Sequence, residues 1–300
     1  MRRRTFLRTL GAAAALAAGA DAAAQRAGAG ASSAPVTRKG RIKQGLWRVN
    51  FGESTTLSFD DMCREAARLG VHGFDLIGPE DWPTLRRHGL EPLLVGTGGV
   101  TFEDGIIHPE VHDQIEQSIR PYIDMCAAEG IRTIITIGGQ RRGMSFSEGA
   151  DNAVAFLNRI KGQLEERGVT IAIENMNNRL TDPRFGREDQ IFGHWDWGVE
   201  VCERVGSPNV KLVCDIYHLQ IMDGDLARRI RESIRWIAHF HTAGVPTRNE
   251  IDGTQEINYR YLAEVIAELD YDGYVSHEWR PSPGRDPLES IAQALEIMDV

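Results

Sequence analysis

From residue 44 onward the chain alternates short apolar runs with longer amphipathic stretches eight times, and this alternation limits the possible folds more than any other feature. Strands are predicted at 44–50, 73–77, 91–95, 133–137, 170–174, 211–215, 237–242 and 273–278. Most are dense in Val, Ile, Leu and Phe, as parallel strands covered by helices should be. Helical patterns lie between them at 59–69, 109–129, 148–167, 196–205, 225–233 and 258–269, and one at 287–298 closes the chain. Ser58 stands as an N-cap for the first helix, and Gly70 follows its end. Eight βα units in about 250 residues specify a single-domain (β/α)8 barrel of the TIM type. A doubly wound sheet would need a Gly-rich phosphate turn after the first strand, and Asn50-Phe51-Gly52-Glu53 is not one.

Residues 1–24 read as an address. A charged stretch (Arg2, Arg3, Arg4, Arg8) precedes an Ala/Leu run too short to span a bilayer, then small residues suited to cleavage. The Arg-Arg-x-Phe-Leu order is similar to a twin-arginine export signal, which implies a periplasmic protein with no stable membrane insertion after cleavage. Residues 25–40 are Gly/Ala/Ser-rich and read as a flexible linker, leaving 41–300 as the barrel domain. Residues 1–24 carry four Arg and one Asp, so the chain without them has a formal charge of −12, against −9 for the whole. That acidity argues against a nucleic-acid partner. Cys63, Cys126, Cys202 and Cys214 form no C-x-x-C pair and sit in apolar-periodic segments, which predicts buried thiols.

In such barrels chemistry sits at the C-terminal ends of the strands. The fifth predicted strand ends at Glu174, the sixth at Asp215, the seventh carries His241 near its end, and the eighth ends at Glu278. Carboxylates at the ends of apolar strands lose hydration and need positive charge nearby. A divalent cation supplies it most simply, and three carboxylates with one imidazole suit Mn²⁺ or Mg²⁺ better than a softer metal. Four protein ligands would leave about two octahedral positions for a chelating small-molecule substrate.

The run Cys214-Asp215-Ile216-Tyr217-His218-Leu219-Gln220-Ile221-Met222-Asp223-Gly224-Asp225 resembles a signature of the hydroxypyruvate isomerase family. The segment 239–259 and Tyr271-Asp272-Gly273-Tyr274 leading to Glu278 resemble it too. That family lies within the xylose isomerase-like barrels, with ketose 3-epimerases as cousins. The resemblance implies metal ligation by Glu174, Asp215, His241 and Glu278, and proton exchange by Glu174 and Glu278. It also implies that His218 binds a substrate oxygen and that Arg248 reaches the substrate. Hydroxypyruvate isomerases tend to carry Gln where this chain has His241, and the ketose 3-epimerases carry His.

These groups suit aldose–ketose chemistry. A cation on the carbonyl and hydroxyl oxygens stabilises the developing enediolate, and glutamates on either side of it move the proton. The expected reaction is hydroxypyruvate to tartronate semialdehyde. The alternatives are a periplasmic keto-sugar 3-epimerase or isomerase and a non-catalytic sugar binder; a homo-oligomer stays open. Arg248 could hold a keto-acid carboxylate bidentately or pair at the surface with Glu250 or Asp252. His218 could instead orient Asp215. Gly138-Gly139-Gln140-Arg141-Arg142-Gly143 could cradle an anion or be a mobile loop, and Asp196 is expected to cap a helix whose Trp195 and Trp197 are packed. Trp47, ending the first strand, walls the pocket or belongs to the core.

Overall fold

A computed structural model describes residues 35–96, 98–179 and 188–300. The export signal expected at 1–24 and most of the expected linker lie outside the described residues. From Val36 on, the chain is one compact unit.

The elements run β1 (Lys43–Trp47), α1 (Phe59–Arg68), β2 (Gly73–Asp75), α2 (Trp82–Arg87), β3 (Glu91–Gly96), α3 (His112–Glu129), β4 (Thr133–Ile137), α4 (Phe146–Arg167) and β5 (Thr170–Glu174). Then come α5 (Trp195–Val205), β6 (Val210–Asp215), α6 (Ile216–Met222), α7 (Leu226–Ser233), β7 (Ile237–Thr242), α8 (Tyr259–Glu268), β8 (Tyr274–His277) and α9 (Pro287–Ile297). The strands pair in parallel in chain order, and β8 returns to β1 with Lys43 opposite Tyr274 and Leu46 opposite His277. The closed (β/α)8 barrel expected from the alternation is the fold.

Successive strand residues face opposite ways. In β5, Ile171 and Ile173 join the main core, while Ala172 and Glu174 share the other face. In β6, Leu212 and Cys214 belong to the main core, and Val213 shares the interior with Asp215, packing beside Leu94 and Ala172. The interior is narrow where β1 meets β2. A Cβ on Gly45 would stand 2.3 Å from Ser276 Oγ, and one on Gly73 would stand 1.8 Å from the Glu91 carbonyl oxygen.

Local signals set most boundaries. Ser58 and Asp61 form a reciprocal capping box that starts α1, with Ser58 Oγ accepting from Asp61 N at 3.1 Å. Two helices were not anticipated. Asp81 and Pro83 open the six-residue α2, and Asp215 itself caps α6, its Oδ1 accepting from His218 N at 3.0 Å. Strand β2 ends two residues earlier than expected because Leu76 takes φ 57°. The tail of the expected linker is tied down: Val36 N donates to Arg68 O at 2.8 Å and Lys39 N to Asp299 Oδ1 at 2.8 Å. All four cysteines are buried free thiols, and burial pushes Cys63, Cys126 and Cys202 up to about 12. No helix among the described residues is long and apolar enough to cross a membrane.

Candidate active site

The last residues of β5 and β6, the penultimate residue of β7 and the residue that follows β8 converge. One ligand-type atom from each of Glu174, Asp215, His241 and Glu278 lies within 4.8 Å of those of the others. Strand register produces this. Asp215 pairs with His241 across β6 and β7, and Glu278 N donates to Thr242 O at 2.9 Å, carrying the β7–β8 ladder one residue further. His241 Nδ1 lies 2.8 Å from Glu174 Oε1 and 3.0 Å from Glu278 Oε2. All four are buried or nearly so.

Arg248 enters this cluster from the loop after β7. Its Nη2 donates to Asp215 Oδ2 at 2.8 Å and also to Glu278 Oε2, while Nη1 lies 2.8 Å from His218 Nε2. Of the two alternatives for Arg248, the surface pairing with Glu250 or Asp252 is not the one seen. Those carboxylates take Ser282, Ser290 and Arg285 instead. Positive charge for the strand-end carboxylates therefore comes partly from a loop arginine, which the pattern of the strands could not show.

Beneath the cluster lies a group absent from the sequence reading. Asp75, the last residue of β2, places Oδ2 at 3.0 Å from His241 Nε2 and 2.7 Å from His239 Nε2. Burial would raise Asp75, but His239 and His241 outweigh it and bring the carboxyl down to about 2. Glu174 goes the other way: burial and the Glu278 carboxylate push it up to about 7. Desolvation also acts on Glu278, yet His241 and Arg248 hold it below the usual carboxylate range. Desolvation would lower His241, and Glu278, Asp75 and Glu174 together raise it well above the ordinary imidazole value.

These residues fit a divalent cation. Three carboxylates and an imidazole converge on one point in a buried setting, and an ion there would relieve the crowding that raises Glu174.

Neighbouring groups lock the first layer. Asn175 Oδ1 accepts from Asp215 N at 2.8 Å while its Nδ2 donates to Asp215 O at 3.1 Å, joining the ends of β5 and β6. His218 Nδ1 accepts from Asn177 N at 3.1 Å. Burial, with Arg248 alongside, brings His218 down to about 4, so the ring is neutral. The arginines of the glycine-rich loop after β4 are paired within the chain. Arg141 pairs with Asp189 at 2.5 Å and Arg142 with Asp104 at 2.8 Å, which ties three loops together. Asp196 does not cap α5. Asp223 does that work from outside, accepting from Trp195 N at 2.7 Å, while Asp196 reaches out to Arg229; Trp195 and Trp197 are buried as expected. Trp47 is half-buried beneath the Arg280 guanidinium, 5.0 Å from its ring centre.

The xylose isomerase-like TIM barrel family matches residues 63–299. The hydroxypyruvate isomerase of Escherichia coli is 41% identical over 244 residues, covering 77% of this chain and 90% of that one. The 2-oxo-tetronate isomerase of Cupriavidus necator is 41% identical over 118 residues, covering 39% of this chain and 43% of that one. The chain spans about half the length of several curated relatives that it matches. Among solved structures, an AP endonuclease, family 2, from Brucella melitensis matches with a TM-score of 0.73 at 24% identity, over 84% of this chain and 97% of that one, a likeness of fold alone. Closed barrel, strand-end residues and matched span agree: the chain belongs to the xylose isomerase-like TIM barrel family, in its hydroxypyruvate isomerase branch.

Proposed function

We propose that the barrel is a divalent-metal-dependent isomerase of a small keto acid, moving a proton between adjacent carbons of an α-hydroxy carbonyl substrate. Hydroxypyruvate to tartronate semialdehyde is the reaction put forward. One observation carries the reading: ligand-type atoms of Glu174, Asp215, His241 and Glu278 lie within 4.8 Å of one another, with Glu174 and Glu278 both meeting His241 Nδ1. Two glutamates beside a bound α-hydroxy carbonyl can take a proton from one carbon and return it to the next.

Glu174, Asp215, His241 and Glu278 would hold the ion, with Mn²⁺ or Mg²⁺ favoured by their oxygen-rich set. When bound, it supplies Lewis-acid polarisation of the substrate's carbonyl and hydroxyl oxygens. The chain's own residues do the rest. Glu278 takes the proton from the hydroxyl-bearing carbon and Glu174 returns one to the neighbouring carbon; the hydroxyl proton passes to the former carbonyl oxygen, and Glu278 then hands its proton to Glu174, restoring both carboxyls. His218, held at Nδ1 by Asn177 N and beside Arg248 Nη1 at Nε2, is put forward as the residue that meets a substrate oxygen once Arg248 Nη1 gives way, and Arg248 keeps Glu278 ionised. The imidazole at His241, shared with ketose 3-epimerases, favours a keto-sugar 3-epimerase as second reading. The twin-arginine-like start at residues 2–7 supports work in the periplasm.

Incubating metal-loaded protein with hydroxypyruvate and a ketose panel in D₂O tests this. Deuterium should enter the carbon next to the carbonyl of hydroxypyruvate, and Glu278→Gln should slow uptake by about 100-fold or more. Exchange only into ketoses would transfer the assignment to the epimerase, and no exchange into any substrate would refute both.

A further inference from the structure

Asp75 and His239 take no part in the reaction just described, yet they are fully buried polar groups beneath it. All three members of the Asp75–His239–His241 cluster are at 0–1% exposure. His239 and His241 are two residues apart on β7 and so share a face. Their rings meet edge to face at 5.2 Å between centres. Both direct Nε2 at the same Asp75 oxygen, Oδ2, at 2.7 and 3.0 Å. A register shift between Phe74 and Asp75 and the positive φ of Leu76 aim this carboxylate into the barrel. Gly45 and Gly73 leave the neighbouring interior to the Leu93 and Ser276 side chains.

For folding alone this arrangement is costly. Asp75 Oδ1 and His239 Nδ1 are buried with no hydrogen-bond partner among the described residues. What the carboxylate does accomplish is directional, because an acceptor at His241 Nε2 fixes the proton there.

We propose that Asp75 is the positioning residue that sets the His241 tautomer in the metal-loaded protein, taking the Nε2–H so that the Nδ1 lone pair is free for an ion held by Glu174, Asp215 and Glu278. This rests on the metal reading of the site. A ligating imidazole whose other nitrogen is held by a carboxylate is oriented and made more basic, and loss of such a partner commonly weakens metal binding by about 10- to 100-fold. His239 shares the acceptor but makes no contact with the carboxylates above, so its loss leaves the His241–Asp75 bond in place.

The test combines Mn²⁺ titration calorimetry with long-range ¹H–¹⁵N spectra of the Mg²⁺-loaded protein. Wild type should bind Mn²⁺ and show His241 protonated at Nε2 and unprotonated at Nδ1. Asp75→Asn should lower Mn²⁺ affinity by about 10-fold or more and disperse the His241 ring signals, whereas His239→Gln should keep both. Equal weakening by the two variants, or full affinity in Asp75→Asn, would overturn the proposal. Should Asp75→Asn not fold, the wild-type spectrum decides, since an Nδ1-protonated His241 overturns it outright. Wild type that takes up no Mn²⁺ would instead overturn the metal reading itself, an outcome separate from failure at Asp75.

Discussion

Asp75 and Glu174 are carboxylates buried within one barrel, and their surroundings send them in opposite directions. Two imidazoles bring Asp75 down to about 2, while burial and a neighbouring glutamate push Glu174 up to about 7. Side-chain type does not separate these roles; the partners do. Arg248 is the partner on which most of the cluster depends. Removing one member of a buried ion pair leaves uncompensated charge and costs about 3 kcal/mol or more. Arg248→Met should therefore be destabilised by about 3 kcal/mol in EDTA, read from urea unfolding, and should recover part of that on adding Mn²⁺. Unchanged stability in EDTA would show that the guanidinium does not hold the carboxylates together. The strand-end residues were legible because each closes an apolar run. Asp75 was not, because the run 73–77 continues past it and only the backbone turn at Leu76 makes it a terminus.

At the scale of elements, alternation located every strand, and β4, β5 and β7 have the expected bounds because Gly138 follows the first and Glu174 and Thr242 end the other two. What escaped was short or continuous with its neighbour. Helix α6 follows β6 without a break, and its apolar sequence Ile216–Met222 carries no boundary of its own; the only signal is Asp215 acting as cap and strand end together. The same dual use ties metal-type ligand to helix start, so the site is built on rigid backbone. Gly73 shows how tightly strands meet below it. With a Cβ placed 1.8 Å from the Glu91 carbonyl oxygen, Gly73→Ala must displace β3, and overpacking of this kind costs about 1–3 kcal/mol. Urea unfolding of Gly73→Ala should show at least the lower figure, and a wild-type midpoint would mean that the β2–β3 contact yields freely.

Across the whole molecule, a closed barrel with its helices outside leaves chemistry one consistent rim, and this chain uses four successive strands of it. The acidic balance, −9 overall, fits a centre that concentrates carboxylates and gathers positive charge from a loop arginine. Because ligand-type atoms come from β5, β6, β7 and the residue beyond β8, the centre exists only once the barrel has closed. Metal content is therefore the most direct measure of whether those residues act as one. Purified wild type loaded with Mn²⁺ and desalted should retain one ion per chain by elemental analysis. Asp215→Asn, folded by circular dichroism, should lose most of it; a variant that keeps the full complement would show that Glu174, Asp215, His241 and Glu278 are not a single cation site.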